Sequence, residues 1–483
     1  MEDLVSGKPA ARGRHRAETV TERDQPVTFR DVFAIHEYRA IYSSLLVNWL
    51  GDYLSKAAIT VLVYQQTESV LLTAAAFGVS FLPWIIGGTL LSALAERYPY
   101  RRVLIIADLS RMVPIALLLV PNTPIWVMLV LVFVASLGTP PTQAARSALL
   151  PQLVGREKLP TAIAVNQTTT QAVQVVGYLA GATIATAISP RVALSVDVLT
   201  FALSAAFIAR GVRPRPPAQA RGQRTHLLHE SGEGFRLVFG RRVLRDIALM
   251  VFVLSAFSIA PEGLAAAWAA EGTSDPAARG LNQGLIMAAS PIGFVVGGLV
   301  ITRLTGSSTR NRLIRPFAVL SCLALVPAAF GPPMLVVVAL VTLSGVAIGG
   351  LTPTLNGKFV LMLPHGYRAR AFGVIQAGMQ LSQFAGVMIT GVLADLFWLP
   401  LVVGLTALAG TAVMGYLSAR WPSDHAFATA VEEAAATMPP ADEPAPPAPP
   451  PVVPAPATPV EQAPGATTSV TSERPAAAGR MDG

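Results

Sequence analysis

Runs of about twenty apolar residues, separated by short polar links, occupy most of the chain. A helix needs about 20 mostly apolar residues to cross a ~30 Å hydrocarbon core. Twelve such runs occur, at about residues 38–63, 71–95, 103–120, 124–150, 161–188, 192–210, 243–269, 280–303, 314–330, 334–361, 371–396 and 399–419. The fourth and tenth carry Pro140-Pro141 and Pro353, which a membrane helix tolerates when neighbouring helices satisfy the freed carbonyls. The pattern predicts an all-α integral membrane protein with twelve transmembrane helices. The stretch before the first run is polar and basic, without an apolar core of signal-peptide type, so the first run is expected to act as the insertion signal.

Composition narrows the class. Of the 483 residues, 52% are apolar and 13% are Asp, Glu, Lys or Arg, against roughly 25% charged in soluble domains. That excludes a soluble enzyme and a disordered or fibrous chain. The single cysteine, Cys322, excludes a disulfide framework or a Cys-rich metal site. His36, His226, His229, His365 and His425 lie in loops or at helix ends, without metal-ligand spacing. No metal or cofactor is expected. There is no G-x-x-x-x-G-K-[ST] and no nucleophile–base arrangement, so neither ATP use nor an enzyme is supported.

The net charge of +8 fits either nucleic acid or membrane, and its distribution decides. With a cytoplasmic N-terminus, the inner segments hold Lys8, Arg12, Arg14, Arg16, Arg23 and Arg30, then Arg97, Arg101 and Arg102, then Arg156 and Lys158. The central connection adds Arg213, Arg215, Arg221, Arg224, Arg236, Arg241 and Arg242, and later inner loops Arg310, Arg312, Arg368 and Arg370. The outer loops hold only Arg191 and Arg279. This is the positive-inside asymmetry. It predicts a multi-pass plasma-membrane protein with both termini cytoplasmic, bilayer as its partner and no nucleic acid.

The halves repeat at an offset of about 210 residues. Gly87-Gly88 matches Gly297-Gly298, Arg101-Arg102 matches Arg310 and Arg312, Arg146 and Pro151 match Lys358 and Pro364, and Gly177 and Gly181 match Gly386 and Gly391. A parallel six-span repeat implies two six-helix bundles with pseudo-twofold symmetry about the membrane normal, and a site between them near mid-bilayer. The expected units are a basic N-terminal segment (1–37), a first bundle (38–210), a central loop with an amphipathic helix (211–242), a second bundle (243–421) and a disordered Pro/Ala-rich tail (422–483). The amphipathic helix rests on apolar residues at helical spacing over Leu227–Arg245.

A charge inside a bilayer needs a reason. Asn48, Asp52 and Lys56 form one polar stripe at i, i+4, i+8 on the first span. Asp52 and Lys56 are expected to pair, either as a permanent ion pair or as a proton-coupling element. Asp108 and Arg111 on the third span read as a structural pair or gate element. Glu262, between Pro261 and Gly263 on the seventh span, reads as a second proton or cation-substrate site facing the Asp52 stripe. Its alternative is a solvated carboxylate at the outer mouth. Asp197 is expected to pack helices or gate the outer side, and Asp395 to be solvated. Gln167, Gln171 and Gln174 share a face of the fifth span, and Gln376, Gln380 and Gln383 a face of the eleventh. These stripes either bond between helices or line a water-filled bundle interface.

The loop Ala95-Glu96-Arg97-Tyr98-Pro99-Tyr100-Arg101-Arg102 is similar to the G-x-x-x-D-R-x-x-R-R signature of the major facilitator superfamily. Glu96 stands at the Asp position, and the leading Gly is displaced to near Ser92. Gly51-Asp52, Ala107-Asp108-Leu109-Ser110-Arg111, Arg146-Ser147-Ala148-Leu149-Leu150-Pro151 and Asp197 before Leu199-Thr200-Phe201 resemble the enterobactin-exporter-like and multidrug-efflux branch. The resemblance implies an inner gate in which Glu96 meets Arg146, with Arg97, Arg101 and Arg102 in the gate loop or anchored to lipid phosphates. It also implies a monomeric, proton-coupled exporter of small apolar or amphipathic compounds by alternating access. An uncoupled facilitator or importer of a small metabolite, and a non-transporting sensor built on the tail, stand as alternatives.

Overall fold

The computed structural model describes residues 28–85, 97–216, 227–363 and 367–436. Among these every regular element is helical. The first half contains α1 (Phe29–Phe33), α2 (His36–Thr67), α3 (Val70–Ile85), α4 (Tyr100–Leu117), α5 (Ile125–Ser136), α6 (Thr139–Ala187) and α7 (Pro190–Gly211). The second contains α8 (Leu227–Gly240), α9 (Arg242–Ser258), α10 (Ala260–Gly272), α11 (Pro276–Leu304), α12 (Ser307–Leu323), α13 (Met334–Leu361), α14 (Arg368–Leu396), α15 (Leu399–Ala419) and α16 (Asp424–Ala436). Eight segments of the described residues are long and apolar enough to cross a membrane. α4 has the length but carries Arg101, Arg102, Asp108 and Arg111 in its eighteen residues. Trp126, Leu335 and Phe330 stand exposed on the outside, a surface suited to lipid and not to water.

Local chemistry explains the breaks. α6 turns at Gly155, whose φ of 72° is open to glycine and strained for other residues. The chain therefore changes direction there, and the arm before Gly155 continues α5 as one apolar segment, Ile125–Gly155. α9 ends at Ser258 and α10 starts at Ala260, because Pro261 supplies no N–H to the preceding turn. Asp275 caps α11 by accepting from the Ala278 amide at 3.0 Å, with Pro276 at the first helical position. At the start of α1, the hydroxyl and amide of Thr28 both donate to Asp31 at 2.7 Å, which holds that carboxyl below its usual range.

One expectation about the chain's segments is corrected. The disordered tail does not begin at 422, since Asp424–Ala436 is helical with Phe427 buried beside Trp421 and the Lys358 ammonium over its ring at 4.0 Å. That segment lacks proline and is rich in alanine, which favours helix; the Pro-rich stretch after it lies outside the described residues. The central amphipathic helix exists as α8, and it packs against α14, with Glu233 paired to Arg370 at 2.5 Å.

Small residues set the helix seams, as expected where apolar burial gives no drive between helices. Gly177 and Gly181 of α6 lie against Tyr53 and Leu54 of α2, and Gly386 of α14 lies against Ala256 of α9. The two halves thus repeat one contact. Between the halves, α6 packs on α11 through Gly280 and Gly284, and α3 packs on α14 and α10. Asp395 of α14 caps the start of α3, accepting from Ser69 Oγ (3.1 Å), Val70 N (2.9 Å) and Leu71 N (3.3 Å). Asp395 is exposed, as expected, and it also bridges the halves. These contacts lie at the end opposite the Arg- and Lys-rich loops, and we refer to the two as the sealed end and the basic end.

Candidate functional site

α2 is the axis of the site. It is about 48 Å long at 1.5 Å per residue, and only Asn48, Asp52 and Lys56 interrupt its middle with strong polarity. α2 can approach α7 closely because Gly51 has no side chain: a Cβ there would overlap Thr200 Oγ1 and Asp197 Oδ1.

Asn48 is buried and acts as an adaptor. Its Nδ2 donates to Asp108 Oδ1 at 2.8 Å, while its Oδ1 accepts from Arg111 Nη1 at 3.3 Å. Asp108 also accepts from Ser204 Oγ at 2.5 Å. Arg111 pairs with Asp52, donates to the Ala135 carbonyl at 3.3 Å, and stacks its guanidinium 4.7 Å from the Phe201 ring. Arg146 donates to Ser44 Oγ at 3.2 Å, and Ser44 exchanges a hydrogen bond with Ser204 at 2.8 Å. One connected set of polar side chains thus joins α2, α4, α6 and α7.

The second part of the site lies where the halves meet. Lys56 Nζ sits 5.8 Å from the Tyr53 ring centroid and 5.7 Å from that of Phe81, close enough for cation–π attraction. Tyr53 stacks edge-on against Tyr178 at 5.2 Å, and the Tyr178 hydroxyl donates to Glu262 Oε2 at 3.4 Å. Asp52 and Glu262 both act on the Lys56 ammonium electrostatically, and Ser290 stands beside Glu262. Lys56 is eleven residues from the end of α2, and Glu262 ten from the end of α10, so both lie about 15 Å below the sealed end. Glu262 is 8% exposed and lies in the first turn of α10, where free amides favour an anion. It is not a solvated carboxylate at a mouth. Nearer the sealed end, Gln283 Nε2 donates across the seam to the Ala57 carbonyl (3.1 Å) and to Thr60 Oγ1 (3.0 Å).

Several expected pairings are replaced. Asp52 pairs with Arg111, not with Lys56, because the long guanidinium of α4 reaches across to α2 with several donors to spend. Asp108 and Arg111 do not pair with each other; Asn48 stands between them. Arg146 is drawn into the same interior set, so Asp108, Arg111 and Arg146 belong with the Asp52 cluster and not with a gate at the basic end. Glu96 lies outside the described residues. Arg97 and Arg102 are exposed, while Arg101 donates to the Ala209 carbonyl at 2.6 Å. Gln167 is exposed, Gln171, Gln174, Gln376 and Gln383 are half-buried, and Gln380 is buried. The Gln174 amide stands beside the Tyr178 hydroxyl. Tyr178, Gln283, Ser44 and Ser204 were not singled out from the sequence. Their types are common in apolar helices, and only the spacing of Ser44 from Asn48 along α2 hinted at a shared face.

The family model described as Major Facilitator Superfamily matches residues 41–268 and 263–463. Macrolide efflux protein A of Streptococcus pyogenes is 24% identical over 127 residues, which is 26% of this chain and 31% of that protein. The alignment therefore spans about a third of the relative. Among solved structures, a variant of the nucleoside transporter NupG matches with a TM-score of 0.65 at 13% identity, covering 80% of this chain and all of that one. A bacterial homologue of the human lysosomal transporter Spinster, inward-facing and unoccupied, matches at 0.61 and 12%, covering 84% and 99%. A bacterial homologue of the iron transporter ferroportin, inward-facing, matches at 0.57 and 18%, covering 81% and 99%. At these identities the structures speak for the fold alone.

Proposed function

Because the chain belongs to the major facilitator superfamily, we propose that it is a proton-driven exporter of small apolar or amphipathic compounds, working by alternating access at the plasma membrane. The observation that carries this reading is a charge count. Seven ionisable side chains share the interior cluster: Asp52, Asp108, Asp197 and Glu262 against Lys56, Arg111 and Arg146. Fully ionised, the cluster carries one uncompensated negative charge in a low-dielectric interior, which is costly. One bound proton brings it to neutrality.

Asp52 is the natural port for that proton. Its side chain is 18% exposed, whereas Asp108 and Asp197 are fully buried. Protonating Asp52 removes the charge that pairs with Arg111, leaving Asn48 and the Ala135 carbonyl as its acceptors, and weakens the tie between α2 and α4. Glu262 and Lys56 lie at the seam that must part when the halves rock, so their mutual attraction biases one facing state over the other. The glutamine stripes and the Tyr53, Phe81 and Tyr178 rings supply hydrogen bonds and flat apolar surface to an amphipathic substrate. Export as the direction draws support from the macrolide efflux relative. The inner placement of the basic end, and with it both termini, draws support from the Arg and Lys asymmetry.

The test is uptake of a panel of amphipathic dyes and macrolides into inverted vesicles, with and without an imposed proton gradient. Accumulation that needs the gradient and is lost in Asp52→Asn is the expected result. Equal rates at every imposed gradient would replace this reading with an uncoupled facilitator.

A further inference from the structure

Asp197 is the carboxylate the foregoing chemistry leaves unused, and its surroundings differ from those of the other three. It lies on α7 at 0% exposure, pressed against the backbone of Gly51. Its Oδ1 accepts from Thr200 Oγ1 at 3.0 Å, and that hydroxyl is shared with the Asp197 carbonyl at 2.7 Å. Its Oδ2 is buried without a hydrogen-bond partner, the neighbouring Ser55 hydroxyl donating instead to the Asp52 carbonyl at 3.2 Å. From α2 it is faced by Asp52 and Ser55, and from α4 by Arg111, which is already committed to Asp52 and Asn48. α6 contributes no charged group among those acting on it.

The remaining carboxylates are each provided for. Asp52 holds Arg111, Asp108 takes donors from Asn48 and Ser204 with Arg146 nearby, and Glu262 has Tyr178, a helix N-terminus and Lys56. A buried carboxylate with one bare oxygen, set beside a second carboxylate, is the member of the cluster that gains most from neutralisation. Two carboxylates that repel each other in a dry interior favour a state in which one of them holds a proton.

We propose that Asp197 holds the cluster's proton in this structure, behind α2, and exchanges it with Asp52 across the glycine gap at Gly51. The Asp197 carboxyl is the reservoir and Asp52, whose side chain is 18% exposed, is the port. When Arg111 releases Asp52, the proton moves from the Asp197 carboxyl to the Asp52 carboxylate and then to water, leaving Asp197 as the anion. This deepens the proton-coupled reading above and rests on it. It also gives Gly51 a second consequence, since a side chain there would separate the two carboxyls.

Infrared difference spectroscopy of the full-length protein in proteoliposomes, titrated from alkaline to acid pH, reads the protonated-carboxyl stretch directly. One such band is expected to persist at neutral pH, to disappear in Asp197→Asn, and to remain in Glu262→Gln and in Asp197→Glu. Thermal unfolding of Asp197→Asn should match the parent, because asparagine is close in shape to the neutral acid. Loss of the band in Glu262→Gln with retention in Asp197→Asn would overturn the assignment to Asp197 while leaving proton coupling in place. A parent without any neutral-pH carboxyl band would overturn the reservoir, whatever the vesicle assay shows. Vesicles indifferent to the gradient, with the band present and assigned to Asp197, would instead overturn coupling and keep the buried proton.

Discussion

Replacing Asp395 by alanine removes a contact that ties the halves together at the sealed end. The carboxylate accepts from Ser69 Oγ, Val70 N and Leu71 N, all on the other half. Ser69 keeps its local role, accepting from Leu72 N at 3.2 Å, so α3 retains one cap when Asp395 is lost. The bridge is solvent-exposed, and loss of an exposed N-cap acceptor costs typically ~1 kcal/mol. That energy exists only while the sealed end is closed, so its removal lowers the ratio of closed to open forms about fivefold. Spin labels at Asn122→Cys and Ser274→Cys, on exposed loops of different halves, report the change in a Cys322→Ala background. Pulsed dipolar distances in nanodiscs should show a longer component growing by that factor in Asp395→Ala. Asp395→Asn, whose amide oxygen still accepts, should fall between. Superimposable distance distributions for the parent and Asp395→Ala would refute the bridge as a determinant of facing state.

Asn48→Leu fills the same volume but leaves Asp108 and Arg111 each short of a bond. Hydrogen bonds to charged groups are worth ~1.5–3 kcal/mol each, so a clear drop in thermal unfolding temperature is expected, and an unchanged temperature would remove the adaptor role. Gly51→Ala overpacks the α2–α7 seam at a cost of about 1–3 kcal/mol, visible as reduced detergent stability. Glu262→Gln should lose cationic substrates selectively if the carboxylate touches them, or lose gradient dependence for all substrates if it titrates; unchanged rates, pH profile and range would argue for neither. Cysteine at Thr273 should label from outside intact cells, and cysteine at Ser307 only after permeabilisation, the reverse pattern being incompatible with both termini inside.

Membrane spans were legible because one physical demand, a long apolar run, dominates them. α13 and α15 coincide with their apolar runs, 334–361 and 399–419, each bounded by proline or tryptophan. Where a helix extends through charged residues that snorkel, as α12 does from Ser307 past Arg310 and Arg312, hydropathy starts it too late. The site was legible as a set of residues and not as a set of bonds. Spacing along one helix suggested Asp52 with Lys56 and Asp108 with Arg111, the only pairings a linear pattern can show. The actual partners lie on other helices, and which helix a guanidinium reaches depends on packing. Gly138 illustrates this, since a side chain there would occupy the space of Arg111 Cγ and Cδ. Asp197 carried a signal, a charge in an apolar run, but nothing in its sequence neighbourhood said that one oxygen would be left bare.

The seam of α6 and α11 has a bearing on turnover. Gly280 and Gly284 rest on the backbone of Ala182, Thr183 and Leu179 and on the Thr186 hydroxyl, so at these two positions main chain lies against main chain. Side chains such as lysine or methionine surrender ~1.5–2 kcal/mol of rotamer freedom whenever they are immobilised, while glycine and alanine surrender almost none. Contacts of this kind can part and re-form with little new ordering of side chains, which suits a seam that has to open under the proposed alternating access.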